Sequence, residues 1–249
     1  MTAAGPRIDW GSGSRAPIYL KLAQTLRQRI VAGEIGAGDA LPSERDLCDI
    51  LGASRVTVRK AIETLINEGL IVRKQGSGTF VAPRIEAPGS HLSSFSEDAS
   101  ARGEKSEAIW MMKTYAVASP EEAKVLELEP NARVLRLGRV RLSEGEPLAI
   151  ENAIVPAQFL PNLDEVGDSL YEALGRRGLR PVTGTQKIRA SLATPTEAGL
   201  LSMLEKSELL RIERVTRLAD GRPVEYTRSA YRGDRFDFVS ELRGAYSVL

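Results

Sequence analysis

Apolar residues recur every three or four positions through Tyr19, Leu22, Leu26 and Ile30, which predicts an amphipathic helix opening at Pro17 and stopping at Gly33. After a glycine-rich loop a shorter helix opens at Ser43, where the serine stands three residues ahead of Asp46 in a capping-box arrangement. This helix presents Leu47, Ile50 and Leu51 to a core and ends near Gly52. Ser54 then caps a third helix whose Val58, Ile62, Leu65 and Ile66 face inward. Residues 69–81 hold two β-rich runs around Gly76 and Gly78, the pattern of a hairpin.

Residues 83–90, with two prolines and a glycine, have linker composition. Beyond them, strand-like alternation covers 108–115, 133–142, 148–155, 185–191, 209–218 and 224–231, with helical patterns near 119–127, 168–178 and 195–204. The elements do not alternate strictly, and hairpins dominate, so the expected class is α+β with an antiparallel sheet. The hairpins at 139–155 and 211–231 resemble one another, each running arginine-rich strand, glycine turn, proline, strand; this suggests a duplicated half with a cleft between halves. The expected domains are 1–82, a linker at 83–91, and 92–249.

A chain of 249 residues with 42% hydrophobic and 27% charged side chains can fill two small cores. Net charge is only +1, which excludes a histone-like wholesale affinity for nucleic acid, but residues 1–83 carry eleven basic against eight acidic side chains. The single cysteine, Cys48, excludes an intrachain disulfide framework, and no apolar run approaches a membrane span, so a cytoplasmic protein is expected. His91 is the only histidine, so no histidine-based metal cluster or catalytic triad can be assembled, and no cofactor is expected.

Two helices meeting across a tight glycine turn give the layout of a helix-turn-helix, whose second helix enters the major groove by its N-terminal end. Arg55, Thr57 and Arg59 fall on the outward side there, and Arg73 and Lys74 on the hairpin can neutralise phosphates. The stretch LPSERDLCDILGASRVTVRKAIETLINEGLIVRKQGSGTFV resembles the winged helix-turn-helix of the GntR family of regulators over about forty residues. The resemblance implies DNA contacts from Arg45, Ser54, Arg55, Thr57, Arg59 and the wing glycine Gly76.

In the second half, Arg139 and Arg141 stand two apart on one strand, so both side chains project to one face and can clamp a dianion. Alone, that pattern also fits surface strand arginines paired with glutamates. Ser93, Ser94 and Ser96 lie where hydroxyls and free amides at the start of a helix can complete a phosphate site, and Glu151 follows on the partner strand. Glu225, Thr227, Ser229 and Tyr231 share one face of the last hairpin, and Tyr171 is a further candidate. The pieces LSSFSED, which adds Phe95, PLAIEN, SLYEAL, LATPTEAGLL and RPVEYTRSAYRGDRFDFVSEL resemble the effector-binding (UTRA) domain of the HutC branch of that family, a chorismate-lyase-like fold, especially in its amino-sugar regulators. The resemblance points to a small anionic effector such as glucosamine-6-phosphate or its N-acetyl form; a homodimer on palindromic operator DNA, whose binding the effector weakens, is the expected mechanism. The alternatives are the same regulator answering to a carboxylate or another sugar phosphate, and a lyase-like enzyme carrying a DNA-binding module. Arg228, Arg232 and Arg235 are expected to pair structurally.

Overall fold

The computed structural model describes residues 16–74, 76–89 and 91–241, which divide after Arg84 into two compact units. Among these residues no helix is long and apolar enough to cross a membrane. In the first unit α1 (Ile18–Val31), α2 (Glu44–Leu51) and α3 (Arg55–Asn67) precede a hairpin of β1 (Ile71–Lys74) and β2 (Gly78–Val81). Leu22, Leu26, Leu47, Val58, Ile62 and Leu65 form its core. Cys48 packs partly buried against that core, whereas Ile50, expected to face it, is 41% exposed at the edge of the stripe set by Leu47 and Leu51. Gly52 ends α2 at φ 62°, the left-handed conformation that lets α3 depart across a single tight turn. The cap of α2 differs from the expected reciprocal box: Ser43 Oγ accepts the Asp46 N–H at 3.2 Å, but the Asp46 carboxylate takes the serine hydroxyl at 2.7 Å rather than the Ser43 N–H.

The second unit is built on a six-stranded antiparallel sheet in the order β4-β5-β6-β9-β8-β7. Its strands are β4 (Ser106–Val117), β5 (Arg133–Ser143), β6 (Glu146–Pro156), β7 (Thr183–Leu192), β8 (Glu208–Arg217) and β9 (Pro223–Arg232), with helix α4 (Phe95–Ala101) ahead of them and α5 (Pro120–Val125), α6 (Leu170–Arg176) and α7 (Pro195–Leu200) between them. The sequence expectations for these six strands hold to within about two residues at each end, while the helices run shorter than expected.

The duplication extends well beyond the two hairpins. Helices α5 and α7 start seventy-five positions apart, and each is opened by a capping box, Ser119 with Glu122 and Thr194 with Glu197. Each box glutamate also takes an arginine from the following strand at 2.7 Å, Arg136 in one half and Arg211 in the other. One extra residue in the second hairpin turn places Pro147 and Pro223, and then Asn152 and Arg228, as equivalents. Asn152 and Arg228 face each other across the central β6–β9 pair, so a local twofold passes between them. α6 packs its Leu170, Tyr171 and Leu174 on the sheet face carrying Leu135, Leu137, Ala153 and Val155; α5 covers Val134, Ile154 and Tyr226 on the opposite face.

The stretch expected as a linker, 83–91, contains a further strand. β3 (Ile85–Pro88) pairs in parallel with β10 (Phe236–Val239), and Ile85 and Ala87 are buried beside Phe236. Its partner strand lies some 150 residues later, so local composition carried no sign of it.

Candidate functional site

Ser54 sets the first turn of α3. Its Oγ accepts the Thr57 N–H at 3.2 Å and lies 2.8 Å from Thr57 Oγ1. That cap satisfies a helix-end amide and engages the Thr57 hydroxyl, leaving this side chain half-buried rather than fully outward. Arg45 on α2, Arg55 and Arg59 on α3, and Gly76 at the hairpin tip with φ 74° are all exposed. Arg59 Nε is 3.7 Å from Glu63 Oε1, and Arg73 Nη2 is 2.9 Å from Glu44 Oε1. Both are solvent-exposed pairs, which contribute little and exchange readily for a phosphate. Lys74 Nζ rests 5.0 Å from the Phe80 ring centroid.

The second cluster lies on the sheet face beneath α6. Arg139 and Arg141 project from β5 with the two-residue spacing that puts them side by side, and they are only 4% and 1% exposed. Arg139 Nε donates to Glu151 Oε1 at 2.7 Å, directly across the β5–β6 pair. Arg139 Nη1 and Arg141 Nη1 both donate to the main-chain oxygen of Asp168, at 2.9 Å and 2.6 Å. Arg141 Nη2 donates to Ser96 Oγ at 2.6 Å, and its guanidinium stands 4.7 Å from the Phe95 ring centroid. The Nε of Arg141 is buried with no hydrogen-bond partner. Burial, then the neighbouring Arg139 charge, brings the Arg141 pKa down to about 10. Burial pushes the Glu151 carboxyl up, but the Arg139 and Arg141 charges outweigh it and hold Glu151 below its ordinary value.

At the far side Glu225 accepts from Thr227 Oγ1 at 2.6 Å and from Tyr171 Oη and Thr216 Oγ1 at 3.1 Å each. Burial, and then the Glu151 charge, raise its pKa. One cavity thus holds two carboxylates shifted in opposite directions. Burial also lifts the Tyr231 hydroxyl to about 12. Arg214, on β8, donates through Nη1 to the Ser93 carbonyl at 3.1 Å and through Nη2 to Gln186 Oε1 at 3.0 Å. Burial works against its charge, but Tyr231, Tyr171 and Glu225 outweigh that and raise its pKa.

Of the residues expected to bind an effector, Ser94, Phe95, Ser96, Arg139, Arg141, Glu151, Tyr171, Glu225 and Tyr231 line this one cavity. Ser93 does not line it and takes part through its carbonyl. Ser94 also caps α4 in a reciprocal box with Glu97. The space left among the side chains is about 30 Å³, room for a water or two but not for a metabolite. Sequence reasoning misses Arg214, although the duplication offered a signal: Arg214 stands seventy-five positions after Arg139, in the same place of the repeated strand. It also misses Ser169 and the Asp168 carbonyl, a main-chain group that no side-chain pattern announces. Arg228 pairs with Glu121 at the surface, and Arg232 pairs with Asp234 and Glu146, while Arg235 also reaches Glu146; all three pair structurally, as expected, with Arg232 and Arg235 buried. Among the described residues no group of three His, Cys, Asp or Glu side chains could hold a metal ion.

Residues 18–81 match the family described as bacterial regulatory proteins, gntR family, and residues 101–237 match the UTRA domain. The HTH-type transcriptional repressor NagR of Bacillus subtilis is 36% identical over 231 residues, spanning 91% of this chain and 95% of that protein. The mannosyl-D-glycerate transport/metabolism system repressor MngR of Escherichia coli is 31% identical over 229 residues, 90% of this chain and 95% of that one. The crystal structure of PhnF from Mycobacterium smegmatis superposes with a TM-score of 0.62 at 30% identity, covering 91% of this chain and 99% of that one.

Proposed function

The chain belongs to the GntR family of bacterial regulatory proteins and carries a UTRA effector domain, and from that premise we propose that an amino-sugar phosphate, held at Arg139 and Arg141, controls its operator binding. It is a transcriptional regulator and not an enzyme; what distinguishes it within the family is the effector it reads. The observation that carries the reading is the convergence of two buried guanidiniums and the Ser96 hydroxyl around the single Asp168 oxygen. That donor set suits a phosphate, whose oxygens can take the place of the carbonyl and also meet the unpartnered Arg141 Nε. Glu225, Tyr171 and Tyr231 at the far side offer a carboxyl, a phenol and a ring to the hydroxyls or amine of a sugar. Both the short distances and the small space require the segment around Asp168 to withdraw as the anion enters.

Arg45, Ser54, Arg55, Arg59 and Gly76 contact the operator, two protomers read the two halves of a palindrome, and effector binding weakens the complex. The site of action is the cytoplasm. A thermal-shift screen of the full chain against glucosamine-6-phosphate, its N-acetyl form, other sugar phosphates and the unphosphorylated sugars tests the effector. A ligand at a hundred times its dissociation constant adds ~2.7 kcal/mol of stability. A shift confined to amino-sugar phosphates, accompanied by loss of operator binding in a gel-shift titration, supports the reading; no shift with any of them refutes it. The similarity to MngR, named for mannosyl-D-glycerate, favours one second reading, a sugar carboxylate at the same arginines. The same screen separates the two when mannosyl-D-glycerate is included.

A further inference from the structure

We infer that Val56 reads the C5 methyl group of a thymine in each operator half-site, so that α3 recognises bases by apolar contact as well as through its arginines. The inference rests on the DNA-binding role of α3. Val56 is 77% exposed, the most exposed of the large hydrophobic side chains in the described chain. It is also the one exposed apolar side chain on α3. At 100° per residue it lies about 200° from Val58, opposite the stripe of Val58, Ala61, Ile62 and Leu65 that fills the core. It therefore contributes nothing to packing in the free protein. A β-branched residue is also a poorer helix former than alanine, so local propensity does not account for it.

Its place gives the reason. Val56 is the second residue of α3, in the N-terminal turn that enters the major groove, with Arg55 before it and Arg59 and Lys60 following on the exposed surface. Its neighbour Thr57 is less available: its hydroxyl is engaged by Ser54, and the side chain is half-buried. Among the base edges in the major groove the thymine C5 methyl is the apolar feature. An exposed isopropyl group between two arginines is the complement to it, and burying it there recovers the apolar exposure that the free protein carries.

The test starts from a pool of random duplex DNA, from which the full-length protein and its Val56→Ala variant each select their preferred sequence. Each thymine of the wild-type sequence is then replaced by uracil, which removes the methyl group and keeps every hydrogen-bonding edge. Uracil at one symmetric position is expected to weaken wild-type binding about fourfold per half-site, the value of one buried methyl group. Val56→Ala binds the thymine and uracil duplexes equally, selects that position less stringently, and unfolds at the wild-type temperature. Wild-type indifference to uracil at every thymine overturns the inference alone, as does a Val56→Ala variant that stays as sensitive as the wild type. A wild-type protein that enriches no sequence overturns it together with the DNA-binding reading.

Discussion

Arg55 and Arg59 on α3 stand in solvent, without a strong partner, and take their positions from one helix. Arg139 and Arg141 on β5 are sealed from solvent, and their positions come from β5, β6, the Ser96 turn and the Asp168 segment together. The first pair can be removed without disturbing the fold, because nothing inside depends on it. The second pair is part of the structure as well as the proposed site. A side chain held ready for a macromolecule costs the free protein little, whereas one held in a closed cavity must be neutralised internally until a ligand takes over.

The sharpest separation should come from Arg139→Ala. It leaves Glu151 buried without its partner, and breaking a buried pair costs about 3–5 kcal/mol. Urea unfolding should show that loss together with loss of the effector response; unchanged stability would mean that the pair is not buried in solution. Arg55→Ala should instead leave the unfolding midpoint in place and cost ~1–3 kcal/mol in operator affinity if the arginine reads a base. Wild-type affinity in both Arg55→Ala and Arg59→Ala would break the comparison at its other end.

The two carboxylates sharpen it within the cavity. Glu225 has a raised folded pKa, so its favourable contribution is present below the unfolded value and fades as pH rises through the folded one. Glu225→Gln, which mimics the neutral form, should therefore raise the melting temperature at pH 7 by a few degrees, with the gain shrinking toward pH 4. Glu151 has a lowered pKa, and its contribution runs the other way, present at neutral pH and lost as pH falls through the folded value. A Glu225→Gln gain that is the same at both pH values would show that this carboxyl is not shifted. The smallest effect belongs to Ser54→Ala, which loses the α3 cap and about 1 kcal/mol of stability, read by thermal unfolding; no change would mean that the Thr57 amide finds another acceptor.

The same contrast explains what the sequence disclosed. Helix periodicity and a serine cap place Arg55 and Arg59 from a dozen neighbouring residues, so the expected face and the observed one agree, apart from Thr57, whose hydroxyl the cap engages. Strand alternation likewise put Arg139 beside Arg141, and Glu225 on one face with Tyr231. What lay beyond reach was register and main chain: the parallel pairing of Ile85–Pro88 with Phe236–Val239, and the turning of the Asp168 carbonyl onto two guanidiniums. Arg214 falls between these cases. The repeat of the hairpins was legible, and carrying it along the whole of β5 and β8 would have marked Arg214 as the counterpart of Arg139.

The Asp168 oxygen acts on the arginines as a permanent competitor present at fixed effective concentration. An effector bound at these arginines, as proposed above, would have to displace it, so its apparent dissociation constant would exceed the intrinsic one by the inverse of the fraction of molecules in which the carbonyl has let go. Each 1.4 kcal/mol holding that segment in place raises the response point tenfold. On the proposed reading the loop before α6 is a dial for sensitivity: changes that loosen it, with every effector-contacting side chain intact, would make the regulator answer to scarcer metabolite.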